Sequence, residues 1–161
     1  VFEPYTQFRV SGGVDRKNGD EFATIIQEVE QRISDHVTGK GHTIPLQTDY
    51  EIVSSGIGWC MVREQGAQAR TAMVANGIRA FVSVRDRGNG SYTYTIGRTA
   101  PFIRFSVPSI LDALNEAEVC MNDRWGGSDT IGGSPRVVGS LLPPKEVEKI
   151  INEVLSKRVY T

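Results

Sequence analysis

The chain has 161 residues, 39% apolar and 23% charged, with a formal net charge of −1. That balance suits one soluble globular domain, alone or with an N-terminal extension. It excludes a global basic field able to hold long nucleic acid by counterion release, so any nucleic-acid contact must be local.

No apolar run is long enough for a membrane span, and no signal peptide is read, so a cytoplasmic protein without membrane contact is expected. A chain opening on Val1 rather than Met reads as a fragment or a processed product. Cys60 and Cys120 match no metal-ligand spacing and sit among apolar residues. Buried reduced thiols are expected there, with a disulfide as the alternative.

Phe8-Arg9-Val10 reads as a short strand, and Ser11 to Asp20 as a loop by composition. The first helix is predicted from about Asp20 to Thr38. Phe22, Ile25, Ile26, Val29, Ile33 and Val37 recur at spacings of three and four, and Gly39 stands as the stop. Asp35-His36 falls near its C-terminal end, where the helix dipole favours an imidazolium, so a structural role is read there. Lys40-Gly41-His42-Thr43 is a polar loop. It is either merely solvated or a second place for a ligand, with His42 as the contact.

Tyr50 to Ser55 alternates as a strand does, and Gly56 to Gly66 fits a strand or a helix start. Ala67 to Ala75 is helical by propensity, with Asn76-Gly77 as its stop. Ile78–Val84 and Ser91–Ile96 read as a hairpin around a loop ending in Asn89-Gly90. Arg85, Arg87, Arg98 and Arg104 form the densest cationic grouping. If the hairpin forms, Arg85 and Arg98 are expected near one end of the sheet, scattered surface arginines being the alternative. Pro108 to Val119 reads as a helix with Ser109-x-x-Asp112 as a capping box. Val137 to Leu142 reads as a strand. Pro143-Pro144 opens the last helix, with Val147, Ile150, Ile151, Val154 and Leu155 as its stripe. Strands alternating with helices predict an α/β fold with a mixed sheet flanked by helices.

The stretch from Trp125 to Ser140 carries five glycines, one proline and four hydroxyl side chains, with Asp129 and Arg136 near its ends. Such a run packs no core of its own. It offers backbone N–H groups and hydroxyls suited to a phosphate, or else is an irregular surface loop.

Within it, Gly132-Gly133-Ser134-Pro135-Arg136-Val137-Val138-Gly139 resembles the Gly-Gly-His-x-x-Ala-Ala-Gly signature of the DHHA1 domain. That domain is the C-terminal, substrate-binding half of DHH-superfamily (RecJ-like) phosphoesterases. Tyr94-Thr95-Ile96-Gly97-Arg98 stands where that family has a strand ending in Arg. The resemblance covers roughly residues 77 to 155. Ser134 stands where the motif has His, and Val137-Val138 where it has a small Ala pair. The resemblance implies a DHHA1-like domain over residues 61–161, preceded by a helix-containing extension or linker over residues 1–60.

It further implies a domain that binds nucleic acid or another phosphodiester substrate. Gly132, Gly133, Ser134, Pro135, Arg136, Gly139 and Arg98 are the contacts, and His42 and Arg85 are secondary candidates. The family's two-metal manganese site belongs to a separate N-terminal DHH catalytic domain, which is the expected partner. Neither that Asp/His cluster nor a Ser-His-Asp set is read in this chain, so no catalytic residue, metal ligand or cofactor is assigned to it. The alternatives are a structural or oligomerising α/β domain, homodimeric for instance, and a stand-alone phosphate-binding protein or small hydrolase using His42.

Overall fold

The computed structural model describes residues 1–14, 16–43, 45–118 and 123–157. The chain divides into two compact units, Val1–Pro45 and Leu46–Thr161. The expected division after residue 60 falls inside the strand Trp59–Glu64, whereas the second compact unit begins at Leu46.

The first unit is a pair of helices, α1 (Glu3–Val10) and α2 (Gly19–Val37). The strand expected at Phe8–Val10 is helical instead. Pro4 lies in the first turn, where its missing N–H costs nothing, and Phe8 is buried with its ring 6.0 Å from Phe22. A three-residue apolar run cannot distinguish the two periods. Helix α2 runs as its stripe predicts. The Asn18 side chain caps it by accepting from Asp20 and Glu21 N–H, and Gly39 takes the left-handed conformation after its end. Val29 is the buried part of the stripe, whereas Phe22, Ile26, Ile33 and Val37 are exposed.

The second unit is a six-stranded mixed sheet, the α/β architecture expected. Among the described residues its strands are β1 (Tyr50–Gly56), β2 (Trp59–Glu64), β3 (Ala80–Asp86), β4 (Tyr92–Arg98), β5 (Gly126–Gly127) and β6 (Ile131–Gly133). They lie in the order β1-β2-β3-β4-β6-β5, all antiparallel except the β2–β3 pair. The ambiguous Gly56–Gly66 stretch resolves as the β1–β2 turn and strand β2. Helix α3 (Ala69–Ala75) makes the crossover between the parallel strands. Helices α4 (Val107–Ala117) and α5 (Pro144–Ser156) follow β4 and the glycine stretch.

Strand alternation sorts the side chains. Val82, Val84, Tyr94 and Ile96 enter the main core with Ile110, Leu111 and Leu114 of α4 and Val147 and Ile151 of α5. Phe81 faces the other way and packs with Val62 and Met73. Aromatic contacts knit the main core, with Tyr94 stacked 5.5 Å from Trp125 and Trp59 6.0 Å from Phe105.

Two further expectations change. Helix α4 begins at Val107 after Ser106, one turn before the Ser109-x-x-Asp112 box would start it, and Ser106 Oγ hydrogen-bonds Ser109 Oγ at 3.0 Å. Residues 137–142 are not a strand. They form a turn followed by an isolated bridge between Tyr92 and Ser140. Gly139 breaks the extension with φ of +76°, and its N–H returns to the Pro135 carbonyl at 3.1 Å.

Candidate functional site

The glycine stretch is a small β-hairpin followed by a tight turn. Ladder alternation makes Ile96–Gly132 a hydrogen-bonded pair, flanked by the bonds Arg98 N to Thr130 O (2.9 Å) and Ser134 N to Tyr94 O (3.1 Å). On the other side Ser128 N donates to Ile131 O at 2.7 Å, which makes Gly126–Gly133 the next bonded pair. The N–H groups of Gly132 and Gly133 are therefore spent on the sheet. Their lack of a side chain serves packing. A Cβ on Gly132 would stand 2.6 Å from Leu111 Cδ1, and one on Gly133 2.9 Å from the Tyr94 carbonyl.

Ser134 is 6% exposed, and its hydroxyl accepts the Tyr94 N–H at 3.0 Å. Expected at a ligand, it instead continues the ladder past the end of β6. Arg98 meets the glycine stretch, but as a clamp. Its guanidinium donates to the Asp129 carbonyl (3.0 Å), the Asp129 carboxylate (2.6 Å) and the Ile103 carbonyl (3.0 Å), and its side chain is 9% exposed. Arg85 does not join it. In the β3–β4 register Ala80 lies opposite Arg98 and Arg85 opposite Thr93. Five strand residues, about 17 Å, separate the two positions. His42 belongs to the first unit, where it lines a cleft of about 310 Å³ with Asp35, His36 and Lys40.

The arginine that approaches the turn is Arg87, just past the end of β3. Its guanidinium donates to the carbonyls of Arg136 and Val137 (both 2.9 Å) and to Thr93 Oγ1 (2.8 Å). On the N–H side of the same turn, Arg136 donates to Asp123 Oδ1 (3.1 Å), and Val137 and Val138 donate to Asp123 Oδ2 (2.7 and 3.2 Å). Three consecutive N–H groups thus converge on one anion, a backbone anion seat. Desolvation raises the Asp123 pKa, but the N–H bonds from Val137, Val138 and Arg136 and the Arg87 charge outweigh it, so the carboxyl titrates below its ordinary range.

The Arg136 side chain is exposed, and among the described residues it has no hydrogen bond or ion pair. Val137 (81%), Val138 and Leu141 are exposed beside it. Pro135 and Gly139 are buried, and they shape the turn.

Behind the turn Glu118 is a second fixed carboxylate. It is buried, and it accepts the Leu141 N–H (2.5 Å) and the Trp125 indole N–H (2.7 Å). The Asn115 side chain bonds both the N–H and the carbonyl of Trp125, at 3.0 and 2.9 Å. Burial pushes the nearby Tyr94 phenol far above its ordinary range, with the Tyr92 and Glu118 charges adding to it. Its hydroxyl donates to the Leu142 carbonyl at 2.8 Å.

The structure thus collects Arg136, Pro135 and Gly139 at one turn and buries Ser134 beside it. It sends Arg98 to the opposite end of β4, and it adds Asp123 and Arg87. The cationic grouping already contained Arg87. Asp123 carries no periodic signal and belongs to no motif, so nothing in the sequence marked it.

Among the described residues no three His, Cys, Asp or Glu side chains gather in a group that could hold a metal ion. Cys60 is a free, half-buried thiol whose pKa burial raises, and Cys120 lies outside the described residues. No described helix is long and apolar enough to cross a membrane. No protein-family model matches this chain, and no curated protein matches it in sequence.

Proposed function

We infer that this chain is the substrate-binding part of a DHH-type phosphoesterase and takes a phosphate of a short oligonucleotide at the Arg136–Val138 turn. The observation that supports this most is the convergence of three N–H donors on one carboxylate inside the stretch that resembles the DHHA1 signature. Such a seat fits a phosphate oxygen as well as a carboxylate oxygen. The free Arg136 guanidinium adds a cation able to form a charge-assisted bond, and Val137, Val138 and Leu141 offer apolar surface to a sugar or base. Bond cleavage belongs to a partner DHH domain carrying manganese, and the free Cys60 thiol suits a cytoplasmic setting.

The second reading is a structural cap. It is favoured by the internal use of Gly132, Gly133, Ser134 and Arg98. Titration of a short single-stranded RNA against wild type and Arg136→Ala separates the two. The binding reading requires Arg136→Ala to weaken the complex by about 1.5–3 kcal/mol. Equal binding by both proteins, or none by either, leaves the cap. In the same experiment the chain with manganese is expected to turn over no RNA. Reproducible turnover abolished by chelation would contradict the division of labour.

A further inference from the structure

We propose that Asp123 is an internal stand-in for the ligand's phosphate, and that a phosphate-bearing ligand binds the Arg136–Val138 turn by displacing its carboxylate. This rests on reading that turn as a phosphate seat. One carboxylate takes all three N–H donors, with both of its oxygens engaged. A second anion cannot use the same donors, and two anions at that range repel. Occupation is therefore exclusive.

Two features make Asp123 displaceable rather than a fixed staple. The turn has supports besides Asp123. Arg87 holds the carbonyls of Arg136 and Val137 from the opposite side, and Gly139 N–H closes the turn onto the Pro135 carbonyl. The described residues on either side of Asp123 in the chain, Glu118 and Trp125, are held by bonds outside the seat. Glu118 before it is buried with both oxygens bonded, and Trp125 after it is held by Asn115 through both backbone groups and buried against Tyr94. Asp123 follows Glu118 and precedes Trp125 in the chain and is half-buried; the Arg87 charge acts on it, but its hydrogen bonds are all to backbone N–H groups of the turn. None of the bonds that hold Glu118 and Trp125 involves the Asp123 carboxylate.

A seat filled by its own chain binds an outside ligand more weakly, in proportion to the fraction of molecules in which it is open. Removing the carboxylate removes that handicap. The test titrates the full chain, as wild type, Asp123→Asn and Asp123→Ala, with inorganic phosphate and with a 5′-phosphorylated dinucleotide. Affinity is followed together with the amide NMR shifts of Val137 and Val138. Both variants are expected to bind about tenfold or more tightly than wild type, with those amides moving on titration. If the amides move but all three proteins bind equally, the seat is real and the stand-in role is overturned. If neither probe moves those amides in any protein, the phosphate-seat reading falls, and the proposal with it. Asp123→Asn keeps an acceptor for the turn, so it reports even if Asp123→Ala melts early. Loss of the fold in both variants would mark Asp123 as a fixed staple and overturn the proposal.

Discussion

Ser134 illustrates how one hydroxyl is assigned by its surroundings. A serine in a glycine run reads as a donor waiting for an anion. In the fold it is buried and satisfies the Tyr94 N–H, while its own N–H bonds the Tyr94 carbonyl. Removing one partner of a buried bond leaves the other desolvated and unmet, which costs more than the bond's net worth. Ser134→Ala is therefore expected to destabilise the chain by about 1–3 kcal/mol, measured by chemical denaturation. A change within experimental scatter would mean that water reaches Tyr94 N–H there. Gly132 follows the same logic, since its missing Cβ admits Leu111 of α4. The sequence showed that these positions were special but not what they served, because the atoms that explain them lie far along the chain.

At the scale of elements, the β5–β6 hairpin and the following turn are held by charged groups acting on backbone. Arg98 clamps the hairpin to the loop before α4, and Arg87 and Asp123 grip the turn from its two sides. The Asp123 grip carries a pH signature. Its carboxyl has a pKa lowered by folding, so the charged form is favoured in the native state. The stabilisation is present above the ordinary carboxylate pKa, near pH 4, and is lost as pH falls through the lower folded value. Wild type is thus expected to lose stability in that acid window more steeply than Asp123→Asn. Parallel stability–pH curves for the two proteins would show that the turn does not depend on this charge. Most of the elements were legible, because α5 and the β3–β4 hairpin bury apolar residues at their own period, and α2 repeats apolar residues at helical spacing although Val29 is the one buried. Residues 137–142 read as a strand because two valines favour extension, whereas the positive φ of Gly139 and the Arg87 bonds to the Arg136 and Val137 carbonyls turn the chain.

For the molecule as a whole, a net charge of −1 leaves no long-range attraction for a polyanion. Affinity for an oligonucleotide then comes from the few contacts at one turn. The salt dependence of binding is expected to be shallow, with a slope of about −0.7 for each phosphate neutralised on a single strand. A fitted slope corresponding to one or two phosphates agrees with a single seat. One corresponding to many phosphates would move the interface to an extended surface, such as the polar sheet face of Arg85, Thr93 and Thr95.

The sequence alone determined the α/β class, the order of most helices and strands, and the place of the unusual glycine stretch, because periodicity, caps and stops are local properties that each segment carries by itself. Only the tertiary structure decided what that stretch does. It turned Gly132 and Gly133 into ladder partners, and it closed Arg98 onto Asp129. It also carried Asp123 across thirteen residues to the Arg136 N–H. The reason is physical: a backbone N–H is the same donor in every residue, and its partner is chosen by the fold that brings an acceptor within about 3 Å.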